Sequence, residues 1–117
     1  QYFQIHKLRY QHLIQLKIEE MPVELNYRLL PLSLQFLIEN AIKHNQIDKK
    51  HQLLIRLFVE GDYLVVENNV NPKKQAVAST ALGLINLKRR YAQLTKKEVI
   101  INESREFFIV KLPLIYG

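Results

Sequence analysis

Two apolar runs, residues 52–59 and 63–67, flank Glu60-Gly61-Asp62 and are broken by few polar side chains. Glycine and aspartate between two such runs form a hairpin signal. Strands this apolar are expected in a sheet that helices cover. Residues 33–43 and 83–94 meet that need. The first carries Leu34, Leu37, Ile38, Ala41 and Ile42 at helical spacing, and the second carries Leu84, Leu87, Tyr91 and Leu94. Pro31 leads into the first helix, and Ser33 stands where a cap would.

Residues 13–18 alternate Ile14, Leu16 and Ile18 with Gln15 and Lys17, a strand that Met21-Pro22 ends. Residues 98–102 and 106–112 make a second hairpin around Glu103-Ser104-Arg105. Residues 2–8, with Phe3, Ile5 and Leu8, read as the last turns of a helix. Residues 68–80 have no apolar period and are long enough for a functional lid. The resulting order predicts an α+β fold, a two-layer sandwich. One mixed, mostly antiparallel sheet carries helices on one face. A planar base could enter between the layers.

At 117 residues the chain has room for one domain with a proper core. Its 48% hydrophobic and 24% charged content is that of a globular protein. No apolar run nears the roughly 18 residues of a membrane span. Beginning at Gln1 rather than Met, the sequence reads as a piece of something longer. The absence of cysteine excludes disulfides, thiolate metal sites and cysteine nucleophiles. The formal charge of +6 is densest at Lys49-Lys50, Lys73-Lys74, Lys88-Arg89-Arg90 and Lys96-Lys97. It favours an anionic ligand or partner. Nucleic acid is poorly supported, since no aromatics interleave the basic residues and no reader motif appears.

On the helix of residues 33–43, and just past it, Glu39, Asn40, Lys43 and His44 fall away from the apolar stripe. An acid, an amide, a lysine and a histidine on one short arc could serve a magnesium-bound phosphate. The plainer reading is a solvated face with a Glu39–Lys43 pair. His6, His12 and His51 have surroundings that suit surface or packing residues.

Three segments, taken in order, resemble a known family. Residues 32–45, which end in Glu39-Asn40-Ala41-Ile42-Lys43-His44-Asn45, are similar to the N box of the GHKL ATPases, and more closely to that of LytS-like sensor histidine kinases. Residues 2–10 resemble the helix leading out of their dimerisation domain, and residues 79–91 resemble their second glycine box with the helix after it. The resemblance covers nearly the whole chain. It implies that residues 1–10 end an upstream dimerisation helix and that residues 11–117 are a histidine kinase-like ATP-binding catalytic domain of a two-component system, in the Bergerat fold. ATP and Mg²⁺ would be its cofactors.

The same resemblance assigns Asn40 to Mg²⁺ and Glu39 to the catalytic base or orienter. Lys43 and His44 would lie near the phosphates, Asn68 at the adenine-reading position, and Gly83 and Leu84 at the phosphate-binding helix start. The γ-phosphate would pass to a histidine on the upstream domain, then to a response regulator of the LytTR type. The domain would lie in the cytoplasm, and its parent would reach the membrane through upstream segments. The chain departs from the pattern at Asn68-Asn69-Val70, where the family has aspartate, asparagine and glycine. It departs again at Ala81, usually glycine, and at Phe36, usually proline. These losses leave open an alternative, a GHKL-fold regulatory or protein-interaction module with weak or no nucleotide binding.

Overall fold

The computed structural model describes residues 13–19, 30–72 and 81–115. The expected helix at residues 2–8, His6, His12, and most of the expected lid fall outside these. Five strands and two helices are described: β1 (Ile14–Ile18), α1 (Leu30–His44), β2 (Leu53–Glu60), β3 (Tyr63–Asn69), α2 (Ala81–Ala92), β4 (Ile100–Glu103) and β5 (Phe107–Pro113).

The sheet order is β1-β2-β3-β5-β4. β1 runs parallel to β2, which requires a crossover between them, and α1 lies in that crossover. All other neighbours are antiparallel. Gly61 opens the two-residue turn between β2 and β3 at a φ of 61°, as a type II′ connection needs. Leu57 pairs with Val66, and Val66 pairs with Val110, so one register carries the core across three strands. Leu37, Ile38, Ala41 and Ile42 of α1 and Leu87 and Tyr91 of α2 join that same cluster. Both helices therefore cover one face of a mixed sheet, the expected α+β sandwich. The other face holds Arg56, 3.2 Å from Glu67 and 4.9 Å above the Phe58 ring.

Several local expectations are corrected. Ser33 does not cap α1. It lies inside the helix, fully buried, its hydroxyl 3.1 Å from that of Tyr91. Pro31 sits in the first turn, where a missing N–H costs nothing, so the helix can begin before Ser33. Asn68 and Asn69 are not loop but the end of β3. The Asn69 side chain extends the ladder, accepting from Leu54 N and donating to Gln52 O, both at 2.8 Å. Leu94 is not an inward helical residue. α2 stops at Ala92, and a turn closed by Leu94 N and Thr95 N on Tyr91 O leaves Leu94 52% exposed.

His51 is bound rather than simply solvated, its Nδ1 2.9 Å from Asp48 Oδ1 in the α1–β2 connection. Bonds from His51 and Gln46 hold the Asp48 carboxyl down at about 2. Glu39–Lys43 is not among the ion pairs of the described residues. No helix among those residues is long and apolar enough to cross a membrane.

Candidate functional site

A cavity of about 430 Å³ opens where α1, the end of β3, α2 and the β4–β5 turn converge. That is within the range that takes a small ligand. From α1 come Asn40, Ala41 and His44, with Asn45 just beyond the helix. Asn68, Val70 and Pro72 form the facing wall. Leu84, Glu103, Ser104 and Phe108 complete the lining. The structure thus brings together Asn40, His44, Asn68 and Leu84, four residues taken from distant parts of the sequence.

Helical geometry explains the α1 side, since Asn40 and His44 are one turn apart on one face. Asn40 is not a residue of the outer surface, being only 8% exposed. Its Oδ1 is buried and has no hydrogen-bond partner among the described residues. Leaving an amide oxygen so costs about 1–3 kcal/mol, so a bare Asn40 Oδ1 is a cost that a ligand could relieve. Asn68, 5% exposed, donates from Nδ2 to Asn69 O at 2.8 Å. One amide hydrogen is thereby committed within the chain.

The remaining expected site residues lie elsewhere. Glu39 and Gly83 line a separate depression of about 380 Å³ between the two helices, with Gln35, Phe36, Asn86 and Arg90. Glu39 there accepts a bond from Gln35 at 3.3 Å. Lys43 is exposed and lines neither hollow. Gly83 is within α2 and has no left-handed φ; a Cβ on it would meet the Phe36 ring at 2.5 and 2.7 Å. What this glycine provides is room for a neighbouring ring. The N–H of Gly83 still belongs to the first turn, whose donors have no intrahelical acceptor.

Sequence reasoning assigned no role to Asn45, which is 6% exposed. The signal available was an asparagine after a helix, a stop signal. That signal says nothing about the loop the side chain grips. Val70, Pro72, Phe108 and the Glu103-Ser104 corner were also unassigned. Their presence follows from which strands are neighbours.

Magnesium asks little of a protein, one or two hard oxygens, with waters and phosphates filling the shell. Among the described residues there is no group of three or more His, Asp or Glu able to cage a metal. The buried Asn40 Oδ1 fits the lesser demand.

No family profile and no curated protein matches this sequence. Solved structures do match. The chain is similar to the Acinetobacter baumannii histidine kinase AdeS, with a TM-score of 0.63 and 18% identity over 97% of this chain. It spans 59% of the length of that kinase chain. At this identity the likeness establishes a shared α+β fold.

Proposed function

We propose that the chain is the ATP-binding catalytic domain of a two-component sensor histidine kinase of the LytS-like, GHKL type. It would pass the γ-phosphate of ATP to a histidine on an upstream dimerisation domain. The observation that carries this reading is the buried Asn40 Oδ1, without a hydrogen-bond partner among the described residues, in a cavity whose facing wall holds Asn68. The fold shared with a histidine kinase supports it.

In this reading Asn68 receives the adenine amino group, and Leu84 lies at the helix start that meets the phosphates. Mg²⁺, held at Asn40, would neutralise phosphate charge, which phosphoryl transfer needs more than covalent help. His44 stands near the phosphates on the cavity side of α1. Lys43 is on the solvent side and lines neither hollow. Glu39, in the neighbouring depression between the helices, would be the base or orienter for an accepting imidazole brought in from that side, whose nitrogen bonds to phosphorus as ADP leaves. A response regulator of the LytTR type receives the phosphoryl group, and the parent chain is anchored in the membrane by upstream segments. The second reading, a module that has lost nucleotide binding, is favoured by Val70, which lines the cavity where the resemblance has glycine.

Titration with a fluorescent ATP analogue, with and without Mg²⁺, tests the choice. The wild-type chain is expected to bind in a Mg²⁺-dependent way. Asn40→Ala is expected to lose that dependence while its unfolding free energy stays within about 1 kcal/mol of wild type, because deleting an unsatisfied group removes its penalty too. Absence of binding at millimolar analogue would leave the interaction module as the function.

A further inference from the structure

Asn45 follows the last residue of α1. Its Nδ2 donates to Ala41 O at 2.8 Å, in the last turn of the helix. Its Oδ1 accepts from Asn71 N at 2.7 Å. Gln46 N then donates to Asn71 O at 2.7 Å, and Asn45 and Pro72 form an antiparallel bridge. Asn71 is therefore held at both its N–H and its C=O. Its neighbours Val70 and Pro72 line one wall of the cavity, and Asn40 and Ala41 line the other.

We infer that Asn45 is a positioning residue that sets the width of this cavity. A single buried amide ties the backbone behind Asn40 to the backbone of the wall that carries Asn68, Val70 and Pro72. The same wall is fixed on its sheet side by Asn69, which grips β2. The Asn45 side chain crosses from the sheet layer to the helix layer, beside the Gln46 N–Asn71 O bond. The consequence for a ligand rests on the reading of the cavity as a nucleotide site.

The amide is matched to this task because it donates toward a carbonyl and accepts from an N–H. Alanine can do neither. An ionised aspartate would set an oxygen against Ala41 O, whereas a protonated one offers a donor and an acceptor again. The test combines amide hydrogen exchange with binding of the fluorescent ATP analogue, on wild type, Asn45→Ala and Asn45→Asp. In Asn45→Ala the Asn71 amide is expected to exchange about tenfold faster or more, with the β2–β3 ladder protected as in wild type. Analogue affinity should fall about tenfold. Asn45→Asp should resemble Asn45→Ala near pH 7 and approach wild type near about pH 4, each compared at the same pH. Tyr91→Phe, which loosens the helix pair away from this wall, should leave the Asn71 exchange and the affinity unchanged.

An Asn71 amide as protected in Asn45→Ala as in wild type overturns the inference, and so does loosening spread evenly over the sheet. Unchanged affinity in a variant whose Asn71 is released overturns it as well. If the wild type binds no analogue, the nucleotide reading fails separately, and the exchange pattern alone decides whether Asn45 sets the wall.

Discussion

A methyl group on Gly83 would lie 2.5 Å from Phe36 Cε1 and 2.7 Å from Cζ, closer than any unstrained contact. Glycine in a helix costs about 0.8–1.0 kcal/mol against alanine, so it is kept here for the ring rather than for the helix. Phe36, where the chain departs from the resembled pattern, and Gly83, where it keeps to it, thus form one steric unit. Overpacking costs about 1–3 kcal/mol, which outweighs the propensity gain. Gly83→Ala should therefore destabilise the fold by about 1 kcal/mol. In a Phe36→Leu background the same change should become stabilising. A urea-unfolding double-mutant cycle reads both signs, and an additive cycle would refute the coupling. The identity of Gly83 was legible in the sequence, but its neighbour was not. A residue that belongs to a glycine motif by spacing can serve packing once the ring opposite is known.

At the scale of elements, α1 and α2 are joined by the buried hydroxyls of Ser33 and Tyr91. Tyr91 is 2% exposed, and burial raises its pKa, with the Ser33 bond pulling it partly back. The phenol therefore holds its proton more tightly folded than unfolded. Its contribution to stability is full below the unfolded value of about 10 and is lost as pH climbs through the higher folded value. Urea unfolding of wild type and Tyr91→Phe should show this. The phenylalanine variant should be weaker by about 0.5–1.5 kcal/mol near neutral pH, with the gap closing as pH rises above about 10. Lysines titrate in the same range, so the difference between variants is the quantity to read. A gap independent of alkaline pH would mean that the phenol is not protected. The periodicity placed Tyr91 on the inner face of its helix, but it could not reveal Ser33, which resembled a cap because serine before an apolar run usually is one.

For the whole molecule, the net charge of +6 should draw anionic ligands, yet the cavity's described lining residues include no lysine or arginine, and their only carboxylate is Glu103. Attraction must then come from the summed field and act on encounter. Association of the ATP analogue should slow several-fold between about 0.05 and 0.5 M salt, with dissociation little changed. Stopped-flow kinetics separate the two rates, and a salt effect confined to dissociation would point to direct ion pairs instead. The sequence by itself determined the two-layer architecture, because apolar runs and helical stripes that cannot stay wet admit few ways of covering one another. It also marked Asn40, His44, Asn68 and Leu84, since residue type and motif order are local properties. Only the tertiary structure decided that these four meet, that Glu39 and Lys43 do not join them, and that Asn45 ties the two walls. Those outcomes depend on strand order and on helix rotation to within a fraction of a turn. Both are fixed by the packing of side chains distant in the chain, such as Phe36 against Gly83 and Ser33 against Tyr91.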